Sequence, residues 1–235
     1  MKIFRKVRNA LIKEGKLKKY LLYAVGEISL VMIGILLAFQ VNDWNMQRLK
    51  NKAARVTYAN IMRQINEDKS LILGNIEYNN RYMTEYLFAI EIIENNDRKN
   101  IDTLGYAALN LTKYSDVNRN SNIYQTLLNS GELSLLSNDE IIEGIQRLEE
   151  TYSYMNRMEK IHLDVILMSV AKELHSVMKY SDRTVQKPEA IYGYAFQNYF
   201  ITMVNLMKEK EQVYVRAIRE IDMITMQIEE ELETD

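Results

Sequence analysis

One stretch limits what this chain can fold into more than any other. Leu21 to Val41 is a run of 21 residues with a single formal charge, Glu27. A helix of roughly 20 mostly apolar residues crosses the ~30 Å hydrocarbon core of a bilayer. Tyr20 and Tyr23 flank the run on one side and Trp44 on the other, where amphipathic rings anchor at the headgroup level. The pattern predicts a transmembrane helix over 20–44. A cleaved signal peptide is the competing reading, but its apolar region would be only about 7–15 residues and a small-x-small site would follow. A buried helix of a soluble protein is the third reading, and the flanking charges argue against it.

Those charges are strongly asymmetric. Residues 1–20 hold eight basic side chains against Glu14 alone, whereas the chain from Asn45 onward holds 22 basic and 29 acidic residues. A basic head before an apolar span predicts a cytoplasmic amino terminus, with the rest translocated. An acidic body does not offer the basic face that nucleic acid needs, so no nucleic-acid partner is expected. The organisation read from sequence is a basic cytoplasmic head at 1–19, the span at 20–44 and a periplasmic helical domain at 45–235, in a bacterial inner membrane. Within the head, Ile3, Phe4, Val7, Ala10 and Leu11 share one helical face. Arg5, Lys6, Arg8 and Lys13, with Lys16, Lys18 and Lys19 beyond Gly15, are placed to meet anionic lipid headgroups.

Glu27 is the costly residue. On a helix it falls in line with Gly34 and Val41 at seven-residue spacing, and Gly34 with Ala38 makes a small-xxx-small pair that lets helix backbones approach closely. An acid in the membrane normally faces protein or water. Gly26, Glu27, Gly34 and Ala38, with Tyr23 one turn before, therefore form the candidate interface. Two roles stay open for Glu27: a hydrogen-bonded residue that fixes subunit register, or a group that carries protons or meets a polar partner.

Eight glycines and one proline in 235 residues leave little material for turns and bulges, so the body is expected to be all-α. From Asn45 to Glu94 the apolar residues Ile61, Ile65, Ile72, Ile76, Met83, Leu87, Ile90 and Ile93 recur at threes and fours, with Asp68 and Asn79 in the same seam. This reads as a long stalk with polar registry positions. "NNDRKN" (95–100) reads as a turn, followed by a short helix over 103–112. "SDVNRNSN" (115–122) is a loop, and 123–128 is another short helix, broken near Gly131. Ser137-Asn138-Asp139-Glu140 has the form of a capping box opening a helix to about Met178. "YSDRTVQKP" is a loop, and Pro188 suits the first turn of a last helix ending near Leu232. The ridge Tyr192, Phe196, Tyr199, Phe200, Met203 and Met207 on that helix is read as core or subunit interface. The acidic tail "QIEEELETD" is read as a solvated, fraying end. The expected architecture is an antiparallel helical bundle on a stalk.

The segment "YAVGEISLVMIGILLAFQVNDWN" (23–45), after a basic "FRKVR" and "EGK", resembles the opening of a family of single-span proteins, domain of unknown function 6090, seen mainly in Bacteroidota. "SNIYQTLLNSGELSLLSNDEI" (121–141) resembles a later passage of the same family. The resemblance implies membrane anchorage and places Gly26, Glu27, Gly34 and Trp44 in the family motif. Phe39 and Asp43 depart from it. The family carries no established activity.

Motifs for catalysis are scarce. The sequence has no phosphate-binding glycine loop, no dinucleotide fingerprint and no H-E-x-x-H. Glu159-x-x-His162 matches one element of a di-iron bundle, but such a site needs a second, and His175 has Lys172 at the required offset. Zero cysteines exclude thiolate chemistry. No catalytic residue, cofactor or metal is expected. Three functions remain in view: a self-associating membrane scaffold or interaction protein, a single-span subunit of an ion-driven or transport complex using Glu27 beside a multi-span partner, and a periplasmic sensor module acting through a partner.

Overall fold

The computed structural model describes residues 17–117 and 122–234. Helix α1 (Leu17–Glu94) is followed by a 3-10 turn (Arg98–Asn100) and α2 (Ile101–Asn110). Next come α3 (Ile123–Ser130), a second 3-10 turn (Glu132–Leu135) and α4 (Asp139–Val165). A π-helical turn (Ile166–Val170) joins α4 to α5 (Ala171–Val177). A hairpin of β1 (Met178–Lys179) and β2 (Thr184–Val185) leads to α6 (Pro188–Ile191) and α7 (Tyr194–Thr234). The fold is all-α. The hairpin, with Met178 opposite Val185, replaces the loop expected there. Two residues per strand are too few to show alternation in a sequence. Contacts divide the chain into two units, Met1–Ala53 and Ala54–Asp235.

In the first unit, α1 carries its apolar residues outward, from Leu21 through Phe39 to Leu49.

The second unit is built on three seams with a seven-residue repeat. Along α1 the buried residues include Ala54, Tyr58, Ile61, Ile65, Asp68, Ile72, Asn79, Tyr86, Ala89 and Ile93. Along α4 they include Ile141, Ile145, Leu148, Tyr152, Met155, Glu159 and His162. Along α7 they include Phe196, Phe200, Met203, Met207, Lys210, Tyr214, Ala217, Ile221, Ile224 and Ile228. Steps of four and three keep one face toward neighbouring helices. Within this unit α7 is antiparallel to α1, since Gln197 donates to Glu94 whereas Arg55 donates to the Leu232 carbonyl. It is also antiparallel to α4, through Gln227–Glu140 and Tyr154–Glu209. The aromatic and methionine ridge is core at Phe196, Phe200, Met203 and Met207.

The π turn has a clear geometric use. Continuing the four-three steps from His162 and Ile166 would point residues 169 and 173 inward, but the buried residues are Val170, Leu174 and Val177. One wide turn absorbs the extra residue and returns the apolar face to the core.

Two caps differ from expectation. Asn138, not Ser137, caps α4: its side-chain oxygen accepts from the Glu140 N–H at 3.0 Å. Ser137 and Asn138 both donate to Glu231 near the end of α7, at 3.0 and 3.2 Å. The acidic tail is thus tied down at Glu231, whose charge faces the positive end of the α4 dipole. Pro188 opens the short helix α6, and α7 begins after Gly193. Arg98 forms a two-pronged ion pair with Glu189 at 2.9 and 3.0 Å and lies over the Tyr192 ring, fixing the 95–100 turn against α6.

Candidate functional site

The core of the second unit is not continuous. One apolar cluster holds Ile65, Ile72, Ile145, Tyr152, Tyr214 and Ile221, and the other holds Tyr86, Leu104, Leu174, Phe196 and Phe200. On each seam the change from one cluster to the other is marked by a polar residue: Asn79 on α1, Glu159 and His162 on α4, Lys210 on α7. Glu159, His162 and Lys210 are only 1–2% exposed.

These residues hold the segment after α2 against the bundle. Lys210 Nζ donates to the Ser115 carbonyl at 2.8 Å. Glu159 Oε1 accepts from the Val117 N–H at 2.9 Å and from the Tyr214 hydroxyl at 2.8 Å. Ser115 Oγ donates to Asn79 Oδ1 at 3.3 Å, and Asn75 donates to the Asp116 carbonyl at the same distance. The Tyr114 ring meets the His162 ring edge-on at 5.6 Å and lies under the Lys210 ammonium at 5.5 Å. Backbone groups outside regular structure need partners, and here three helical side chains, Lys210, Glu159 and Asn75, supply them to a non-helical segment, while Asn79 holds the Ser115 hydroxyl.

The electrostatics follow from burial. Lys210 is pushed down to about 8 by desolvation, opposed by the charges of Glu159 and Asp116. His162 is pushed down to about 3 by desolvation and by the Lys210 charge, so it is neutral at pH 7. Burial and then the Glu159 charge push the Tyr214 phenol up. A lysine ammonium only donates, so His162 Nδ1, at 3.4 Å, is the acceptor and the ring proton sits on Nε2. That Nε2 is buried and has no hydrogen-bond partner among the described residues. The cluster therefore holds one carboxylate, one neutral imidazole and a cation. It is a registry layer and a dock for the 113–117 segment. Among the described residues no three of His, Cys, Asp and Glu gather as metal ligands.

The sequence reading placed its site elsewhere, on the span. Gly26, Glu27, Gly34 and Ala38 are exposed on α1. A Cβ added at Gly26 or Gly34 would meet nothing within 4 Å. Glu27 has no hydrogen bond or ion pair with any described residue. Tyr23 is half-exposed, and Trp44 is exposed with the Arg48 guanidinium 5.9 Å from its ring. Lys18 is exposed. Arg5, Lys6, Arg8, Lys13 and Lys16 lie outside the described residues, as do the side chains of Lys19 and Tyr20. The predicted amphipathic helix at 3–14 also falls outside them.

Lys210 was missed, although a signal existed. Extending the ridge from Met207 by the same steps lands on Lys210, then Tyr214 and Ala217. A lysine inside an apolar seam is rarely left unpaired, which marks it as a polar-layer residue. The comparison with family models, curated proteins and solved structures finds no match.

Proposed function

We propose that this chain is a membrane-anchored, self-associating helical scaffold or interaction protein of the bacterial inner membrane, without catalysis of its own. Its amino end faces the cytoplasm and its helical bundle lies in the periplasm. One observation carries the reading. Part of α1 is long and apolar enough to cross a membrane, and none of that apolar window is buried inside the chain. A contiguous apolar surface of this extent in water would drive aggregation or association, so lipid and a second helix are its natural cover. Gly34 and Ala38 provide the close-approach face, and Glu27, on the same stripe, bonds across to a neighbouring copy. The resemblance of the span to a single-span family belongs to this proposal.

The test is assembly of the full-length protein extracted gently from its own membranes. Gly34→Leu and Ala38→Leu are expected to dissociate it, and assembly that survives both changes would remove the span interface. A second reading rests on Glu27, which has no bonded partner among the described residues. In it the chain is the single-span subunit of an ion-driven or transport complex beside a multi-span partner. There Glu27→Gln abolishes activity of the complex while leaving it assembled, whereas loss of both together favours the scaffold. A periplasmic sensor module would need a partner to pass its signal inward.

A further inference from the structure

A cleft of about 310 Å³ lies between the end of α2 and the β-hairpin. Its walls are Tyr106, Asn110, Thr112 and Lys113 on one side, with Tyr180 and Arg183 from the hairpin turn on the other. Two features of its charge are unusual. The Lys113 ammonium and the Arg183 guanidinium form no ion pair or side-chain hydrogen bond with any described residue. Two acids, one beside Arg183 in sequence and one bonded to Asn110, are already engaged. Asp182 accepts from Lys179 Nζ at 2.6 Å and from Thr184 Oγ1 at 2.6 Å, and these bonds hold its carboxyl at about 2. Glu85 accepts from Asn110 Nδ2 at 2.7 Å.

The backbone adds a second argument. Arg183 has φ 59°, in the left-handed region where glycine is at ease and a branched-off Cβ is not. A turn of this kind is normally closed by Gly or Asn. Arginine at that place costs the fold something, and its guanidinium bonds no other described residue in return. Strain retained at such a position points to use of the side chain. Its planar fork matches the oxygens of a phosphate or carboxylate. Tyr106 and Tyr180 line the same cleft and bring aromatic rings to it, the Tyr180 ring also lying 5.3 Å from the His175 ring.

We infer that this cleft binds a small molecule carrying a phosphate or carboxylate group on a planar body, with Arg183 and Lys113 on the anion and Tyr106 and Tyr180 against the ring. Phenyl phosphate is the probe, titrated by calorimetry into the full-length protein in zwitterionic nanodiscs, with phenol as the uncharged control. Wild type is expected to bind phenyl phosphate in the millimolar range or tighter, at least tenfold better than phenol. Arg183→Gly and Lys113→Gln should each weaken binding about tenfold or more. Arg183→Gly carries its own folding control, because relief of the left-handed strain should leave the melting temperature level or higher. Displacement of the probe by soluble short-chain phosphatidic acid would assign the anion to a lipid headgroup, and displacement by inorganic phosphate alone to a water-soluble ligand. Absence of phenyl phosphate binding, or equal binding by the two well-folded variants and wild type, would overturn the inference.

Discussion

Lys210 Nζ and His162 Nδ1 lie 3.4 Å apart, each residue 1% exposed, at the level where one apolar cluster gives way to the other. A buried ammonium beside an imidazole fixes the imidazole as neutral and as an acceptor. The pair also marks the register of α4 against α7, because sliding either helix by one turn would bring Lys210 against apolar side chains. Burying a charge without partners costs several kcal/mol.

The pair makes stability depend on pH with a definite sign. His162 titrates at about 3 in the folded protein against 6.5 ordinarily. Between these values the unfolded chain holds a proton that the folded chain refuses, so stability is full above about pH 6.5 and falls as pH drops toward 3. Lys210, at about 8 against 10.5, acts with the same sign, and stability rises between those values. Denaturant unfolding across pH should show both slopes. His162→Phe should flatten the acid one and Lys210→Met the alkaline one. Unchanged slopes in both variants would remove this role.

Lys210→Met should also destabilise the fold at pH 7 by about 1 kcal/mol. The Ser115 carbonyl would lose its donor, and relief of the buried charge would offset part of that cost. Backbone amide exchange in residues 113–117 should rise more than exchange in the middle of α7, since the segment loses its tether first. Uniform loosening of both would contradict a docking role.

The Tyr152 hydroxyl donates to Asp68 Oδ2 at 2.9 Å inside the core, joining α4 to α1. Tyr152→Phe keeps the ring and removes the donor. The expected loss is about 1–3 kcal/mol, the cost of taking this donor from a buried acceptor. Equilibrium unfolding of variant and wild type measures it.

Two glycines should respond in opposite ways. A Cβ at Gly144 would sit 2.9 Å from Ile224 Cγ1, where α4 and α7 approach closely. Gly144→Val is expected to cost about 1–3 kcal/mol through overpacking. Gly74 lies inside α1 with nothing within 4 Å of its Cβ position. Gly74→Ala should add roughly 0.5–1 kcal/mol by helix propensity. Thermal melts of the two variants shifting in the same direction would contradict this packing.

Much of the fold is written in the period of the apolar residues. Scarcity of glycine and proline points to helices, and the seams of α1 and α7 carry a regular seven-residue repeat. The misreadings have local causes. Stepping by four from Met83 leads to Leu87, which is exposed, whereas the seam passes from Asn79 to Tyr86 and Ala89. Tyrosine is harder to recognise as core than leucine, because its hydroxyl lets it sit on either side. The π turn at Ile166–Val170 leaves only a one-residue slip in the repeat. The hairpin was too short to signal itself. The polar layer was half visible: Asn79 stood in the seam and Glu159-x-x-His162 stood out, but the partner that explains them, Lys210, is a long-range contact. The proposed span face rests on sequence alone, because small residues and a carboxylate on one stripe need no tertiary information to be noticed.

The central claim is that the span mediates self-association, and native mass spectrometry of the gently extracted full-length protein tests it most directly. The scaffold reading requires a ladder of a single subunit mass that collapses to the monomer in Gly34→Leu and Ala38→Leu. A monomer in wild type, or one copy bound to a multi-span protein, would contradict it.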